Sequence, residues 1–302
     1  MALLHPQLEA FLAVIEEGSF DRAAKRLCIT PSALSQRIKG LEDRLGAVLV
    51  KRGVPSVATE AGEKLLRRAQ SMRLLESEAL TDFRLGEGDE TARLTILVNN
   101  DSLATWLPEA LADFASETKG ERVSIELLTD DQDRALESLR NGTAIAVVTS
   151  EGHPVAGARS TPLGAMRYVA VTSPALAASF RSAGLDTALR SAPVIFYDRK
   201  DTLQDRYLAS FGIGPEAFTG LIHYAPSPTA MIDLAARGLG WCMAPESLVL
   251  PWIDKGAIAE ISLERSIDVP LFWQSSAIRS ALVLRLGAVI RKRAAKRLRP
   301  LA

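Results

Sequence analysis

Cysteine is almost missing from this chain: Cys28 and Cys242 are the only two among 302 residues. Thiols that far apart build no disulfide framework, and no Cys/His group has zinc-ligand spacing. Cys242 sits in GLGWCMAP with no basic neighbour to lower its pKa, so it reads as a buried, inert thiol rather than a redox sensor. Histidine is nearly as scarce. His5, His153 and His223 show no catalytic spacing, and the chain carries no GxSxG elbow, no phosphate loop and no metal triad. No catalytic residue, metal site or cofactor is expected. No apolar run reaches the roughly 20 residues that a membrane helix needs, and no signal peptide opens the chain. A reducing cytoplasm and no membrane partner are the expectation. Net charge is missing too, with 36 basic against 36 acidic residues, so no global field announces a polyanionic partner.

What is present is ordinary in bulk. Hydrophobic residues make up 47% and charged residues 24%, the balance of a soluble globular protein long enough for two or three domains. One stretch stands apart. Residues 19–52, SFDRAAKRLCITPSALSQRIKGLEDRLGAVLVKR, read as a helix-turn-helix followed by a basic wing. Ser19 is a good N-cap, and Phe20, Ala23, Ala24 and Leu27 follow at helical spacing. After a turn through Cys28 and Ile29, Thr30 caps a second helix, with Pro31 at its first position, where a missing N–H costs nothing. Leu34, Ile38, Leu41 and Leu45 form one apolar stripe. Ser32, Ser35, Gln36 and Lys39 share another face, flanked by Arg37. Small hydroxyls, an amide and basic groups are the types that meet base edges and phosphates in a major groove. Lys51 and Arg52 of the wing add phosphate contacts. The plainer alternative is a helical hairpin with a solvated polar face. The small Ala23-Ala24 pair, the Thr-Pro start and the wing favour DNA. Residues 1–70 hold eleven Lys/Arg and eight Asp/Glu, a local net of +3 that suits such a module.

Thr59 then caps a long helix predicted to run to about Leu85. Leu65, Ala69, Met72, Ala79 and Phe83 fall near a 3.5-residue period, broken at Glu76. Such a seam needs a partner, either its own chain or, preferably, a second copy in a two-fold dimer. GEGDE at 86–90 reads as a hinge. Beyond it, strand-like runs at 94–98, 123–128, 144–148, 168–172, 193–197 and 271–273 alternate with helical patterns at 103–116, 131–140, 202–211, 229–237 and 281–297. This alternation predicts a mainly parallel sheet covered by helices, in two lobes. The run 285–299 holds seven basic residues and no acid; a solvated helix face is favoured over a DNA contact.

The N-terminal pattern resembles the LysR-type transcriptional regulators. The matching positions are Leu8, Phe11, Val14, Gly18-Ser19-Phe20, Ala23-Ala24, Leu27, Thr30-Pro31-Ser32-Ala33-Leu34-Ser35, Gln36, Ile38, Leu41-Glu42, Leu45-Gly46, Leu49, Arg52, Thr59 and Gly62. A narrower set, VNNDSLATWLP at 98–108, PVIFYD at 193–198 and CMAP at 242–245, is similar to the LysG/ArgP-type subgroup, which senses basic amino acids and activates an amino-acid exporter gene. One departure is APSPTAM at 225–231, with two prolines where a plainly helical start is expected. The resemblance implies an α+β chain in three parts. Residues 1–59 form an all-α winged helix-turn-helix and 60–90 a dimerisation linker helix with its hinge. Residues 91–302 form a periplasmic-binding-protein-like effector domain, with lobe I at about 91–163 and 268–302 and lobe II at about 164–267. It also implies a homodimer or homotetramer on a pseudo-palindromic double-stranded operator, RNA polymerase as a further partner, and L-lysine or L-arginine as effector.

The residues offer their own reason to look between the lobes. The run at 94–98 ends in Asn99, Asn100, Asp101 and Ser102 before a helix begins, and such a turn presents free N–H groups to a carboxylate. Thr149 and Ser150 follow the third strand in the same way, at the open ends where α/β ligands bind. A basic ligand needs carboxylates for its amines, and Asp101, Asp130, Asp131 and Asp198 each follow a strand. Trp106 is a candidate cleft wall. Each has a plainer role as well: Asp101, Asp130 and Asp131 as helix caps, Trp106 as core. Two rivals stay open, a regulator of this type sensing a different small carboxylate and an α/β binding protein or enzyme with no DNA role.

Overall fold

The computed structural model describes residues 4–82, 91–129, 132–140, 142–277 and 280–301. The chain opens with α1 (Pro6–Glu17), α2 (Phe20–Arg26) and α3 (Pro31–Leu45), followed by a wing of β1 (Val50–Lys51) and β2 (Val57–Ala58). Local chemistry sets these boundaries. Ser19 Oγ accepts from the Arg22 N–H and Thr30 Oγ1 from the Ala33 N–H, while Gly18 and Gly46 close α1 and α3 in the left-handed conformation. Phe11, Ala23, Ala24, Leu34, Ile38 and Leu41 bury against one another, the two alanines letting the helices cross closely. Leu45 is a correction. Predicted on the apolar stripe, it stands exposed, because the helix ends there before it reaches the core.

The long helix α4 (Glu60–Asp82) begins after Thr59, whose Oγ1 accepts from the Gly62 N–H at 3.0 Å and donates to the Val48 carbonyl at 2.6 Å. Its predicted seam divides. Leu65 and Ala69 pack on the chain's own helix-turn-helix core, whereas Met72 is exposed together with Leu75. Glu76 accepts from the Leu4 N–H at 2.6 Å, which explains the break in the pattern. Phe83 and the 86–90 hinge lie outside the described residues.

The remainder comprises β3 (Ala92–Val98), α5 (Asn100–Ala104), α6 (Leu107–Glu117), β4 (Val123–Leu128), α7 (Gln132–Arg140), β5 (Ala146–Thr149), β6 (Ala158–Thr172), α8 (Pro174–Ala183), α9 (Leu185–Ser191), β7 (Val194–Phe196), α10 (Leu203–Ala209), β8 (Ile222–Tyr224), α11 (Pro228–Ala236), β9 (Cys242–Pro245), α12 (Glu246–Asp254), β10 (Ala259–Glu260), β11 (Ser266–Ser276) and α13 (Ala281–Arg297). The sheet is mixed rather than mainly parallel. Its order is β10-β6-β11-β5-β3-β4, with β9 also on β6. Among the described strands only β3–β4, β3–β5 and the separate β7–β8 pair run parallel. The long strands β6 and β11 pair antiparallel along most of their length. Their register shifts at Leu271/Phe272, opposite Gly164, whose φ of +133° and close approach to Leu298 and Arg299 admit no side chain.

The helix predicted at 103–116 is two helices, broken at Thr105. The prolines at 226 and 228 are accommodated because Ser227 caps α11, its Oγ accepting from the Ala230 N–H, and Pro228 takes the first helical position. The basic C-terminal run is a helix face laced with ion pairs. Arg293 reaches Asp113 and Glu109 and Arg297 reaches Glu109, which fasten α13 to α6, while Arg285 reaches Glu121 past the end of α6, and Arg299, just past α13, reaches Glu246 of α12. Cys242 is fully buried, and burial pushes its thiol up to about 12, so it is unreactive near neutral pH. Among the described residues no helix is long and apolar enough to cross a membrane, and no group of acidic, His or Cys side chains has metal-site geometry.

Candidate DNA-binding face and effector cleft

The outer face of α3 and the base of the wing enclose an open groove of about 730 Å³. Ser32, Ser35, Gln36, Lys39 and Arg52 line it, together with Glu42 and Val48. Two contacts set the angle between helix and wing. Glu42 Oε1 accepts from the N–H groups of Leu49 (2.8 Å) and Val50 (3.3 Å), and the Arg52 guanidinium stacks over the Phe20 ring with its carbon 4.5 Å from the centroid. Thr30 and Pro31 start the helix. Arg37 is half-buried and lies beside the groove, and Lys51 is exposed on β1 outside it. The groove therefore collects hydroxyl, amide and cationic groups on the exposed face of a helix whose opposite face is core.

The second site lies where β3 and β5 end. Val98 pairs with Val148, so Asn99 and Thr149 emerge side by side. Asn99 Oδ1 is buried and accepts from no donor among the described residues. Thr149 is buried and uses Oγ1 to accept from the Glu151 N–H. Asp101, on α5, accepts at Oδ2 from the Tyr168 hydroxyl of β6 at 2.6 Å. Its neighbour Asn100 donates from Nδ2 to the Tyr197 hydroxyl, just past β7, also at 2.6 Å. Tyr197 is held in turn by Asp201, whose Oδ2 accepts from its N–H at 2.9 Å. Asp198 caps the same turn, accepting at Oδ1 from the N–H groups of Lys200 and Asp201.

Electrostatically this corner is rich in carboxylates. Burial pushes the Asp101 carboxyl up to about 6, the Tyr168 hydroxyl opposes that rise, and the Asp201 charge adds to it. Burial and Asp201 likewise raise Asp205, and burial with Asp101 raises Tyr197. Among the described residues no ion pair joins Asp101, Asp198, Asp201 or Asp205 to a cation.

Two sequence expectations change here. Trp106 is no cleft wall: it is 2% exposed within the main core and donates its indole N–H to Ser102 Oγ at 3.2 Å, so that Ser102, buried too, serves the core. The helix after β3 is only five residues long, so its dipole is small and the side chains carry the charge of the site. Asp130 and Asp131 lie outside the described residues. Sequence reasoning passed over Tyr168, Tyr197 and Asp201, which come from elements far along the chain. The one signal was that Tyr197 and Asp201, like Asp198, follow a strand.

Both parts of the chain match known proteins. Residues 5–63 match the model of the bacterial regulatory helix-turn-helix protein of the lysR family, and residues 87–295 match the LysR substrate binding domain. The lysine export transcriptional regulatory protein LysG of Corynebacterium glutamicum is 38% identical over 297 residues, covering 97% of this chain and 99% of that protein. The crystal structure of ArgP from Mycobacterium tuberculosis superposes with a TM-score of 0.84 at 39% identity, over 99% of this chain and 100% of that one. Full-length LysG from Corynebacterium glutamicum, with its effector arginine bound, gives a TM-score of 0.75 at 34% identity, over 98% and 100%.

Proposed function

The chain belongs to the LysR family of bacterial helix-turn-helix transcriptional regulators, and on that premise we propose that its effector is a basic amino acid, lysine or arginine, which closes the two lobes on each other. The observation that carries this reading is the set of carboxylates around Asp101, raised by burial and by Asp201 and in no ion pair among the described residues. A carboxyl raised by burial and by a second carboxylate is relieved by an arriving cation, and a dicationic ligand meets two such charges at once. The orphaned Asn99 Oδ1 nearby awaits a donor. Asp101 and Asp198 are assigned to the amines, and Asn99 and Thr149 to the strand-end corner that orients the ligand. The relatives support the same class, since one is named for lysine export and another holds arginine. Control of an amino-acid exporter gene is part of the same proposal, supported by the relative named for lysine export.

On the DNA side, Ser32, Ser35, Gln36 and Lys39 are assigned to the major groove, with Arg37 at its margin, and Lys51 and Arg52 to flanking phosphates. The exposed Met72 and Leu75 of α4 offer a second copy a place to pack, setting two recognition helices on a pseudo-palindromic operator. Lobe closure acts on DNA through the relative setting of the subunits, which requires the effector to bind one arrangement more tightly than the other.

Calorimetric titration of the full chain tests the effector. Lysine and arginine are expected to bind, and glutamine, their neutral counterpart, to bind at least tenfold more weakly. Binding of a neutral or aromatic acid with no heat from either basic amino acid would overturn the assignment and favour a regulator of a different pathway.

A further inference from the structure

The Asp101 carboxyl is gripped by a residue from far along the chain. Asp101 belongs to α5, which follows β3, while the hydroxyl on its Oδ2 belongs to Tyr168 of β6, 67 residues along the chain. Tyr168 is 4% exposed and its backbone is fixed by pairing with Pro245 of β9 and Ile267 of β11. Burial and the Asp101 charge push the phenol well above its ordinary value, so it remains a donor at any working pH. An O–H on Oδ2 leaves Oδ1, which accepts from no described donor, open to a second one.

The surroundings make that grip consequential. Facing Asp101 are Tyr168, Tyr197 and Asp201, with Asp198 and Asp205 beyond. α11, which also packs on α5, brings Asp233, already paired with Arg237. α6 brings Glu109 and Asp113, paired with Arg293 and Arg297 on its other side. Among the described residues the one charge that acts on Asp101, that of Asp201, therefore favours its neutral form, as burial does, and the Tyr168 hydroxyl opposes them. A neutral carboxyl would have little attraction for a cation.

Resting on the basic-amino-acid reading above, we propose that Tyr168 is a positioning residue for effector recognition: from β6, its hydroxyl fixes Asp101 as the carboxylate that receives the effector's cationic group. Tyr168 touches no effector atom in this role. It makes recognition of charge depend on α5 and β6 being held together, since the donor and the carboxylate it serves come from those two elements.

The test is the pH profile of arginine binding to the full chain, followed by calorimetry between about pH 5 and pH 8, where arginine itself does not titrate. Wild-type affinity is expected to climb as Asp101 ionises near pH 6 and then level off. Tyr168→Phe keeps the ring packing and removes only the donor, so the midpoint of the climb should move up by about one to two units, and affinity near pH 6.5 should fall at least tenfold. Tyr197→Phe, which alters the neighbouring contact to Asn100, should leave the midpoint in place. An unmoved midpoint in Tyr168→Phe would overturn the inference while leaving the effector reading intact. Should Tyr168→Phe fail to fold, a wild-type affinity flat across the range would overturn it equally. Absence of arginine and lysine binding by the wild-type chain at every pH would overturn the effector reading, and the inference with it.

Discussion

Replacing Asp101 with alanine is expected to abolish the response to lysine and arginine and to leave DNA binding untouched. Burial pushes the carboxyl up to about 6, and it sits beside a second carboxylate, with no ion pair to either among the described residues. Removing one partner of a buried charge pair costs about 2–5 kcal/mol, or at least thirtyfold in affinity. The helix-turn-helix has its own core, far from α5 in sequence, so operator affinity without effector should stay within twofold. The same substitution has a second signature. Asp101 has a folded-state pKa of about 6 against an ordinary 3.8, so the folded protein holds this proton more tightly than the unfolded chain. Its contribution to stability therefore falls as pH rises from about 4 to about 6, and the loss persists above that window. The shift corresponds to up to about 3 kcal/mol. Asp101→Ala removes this term, so thermal melting of the effector-free protein should lose part of its pH dependence between pH 4 and 6. Calorimetry showing wild-type lysine and arginine affinity in Asp101→Ala would refute the assignment.

Gly62→Ala is expected to have the largest effect on DNA binding of any substitution outside the groove. Gly62 is in the first turn of α4, where a Cβ would run into the Leu49 carbonyl oxygen and come within 3.1 Å of the Ala58 Cβ. Both obstacles belong to the wing. The Leu49 carbonyl is already committed, since it accepts from the Thr59 N–H at 2.9 Å, and Thr59 caps α4. Relief therefore requires the helix start and the wing to part, which displaces Arg52 and loosens the Glu42 contacts to Leu49 and Val50. Overpacking against backbone costs about 3 kcal/mol. The expected result is a melting transition lowered by several degrees and operator affinity reduced at least tenfold, with arginine binding retained. Unchanged melting and unchanged DNA affinity would show that wing and linker helix are less tightly coupled than this geometry implies.

How much of this was legible in the sequence depended on how local the cause was. Ser19, Thr30 with Pro31, and Thr59 announce helix starts through groups within three residues, and the helices begin where those signals stand. Leu45 misled because helical spacing says which side of α3 it faces but not that the core has ended by the last turn. The mixed sheet was not readable at all. β6 and β11 pair over a separation of about a hundred residues, and alternation of strand and helix along the chain carries no sign of that antiparallel crossing. The effector corner divides in the same way. Asp101 and Asp198 stand out as polar residues at strand ends, whereas Tyr168 meets Asp101 across 67 residues and Tyr197 meets Asn100 across 97. Trp106 shows the reverse error, an aromatic beside a polar run whose indole was already satisfied within its own turn by Ser102.

Fluorescence anisotropy with the duplex upstream of the protein's own gene, set beside a scrambled duplex over a series from about 50 to 200 mM salt, tests the role of the α3 face most directly. The predicted result is tighter binding to the native duplex throughout and an affinity that falls steeply with salt. Equal affinity for both duplexes, or none for either, would contradict it.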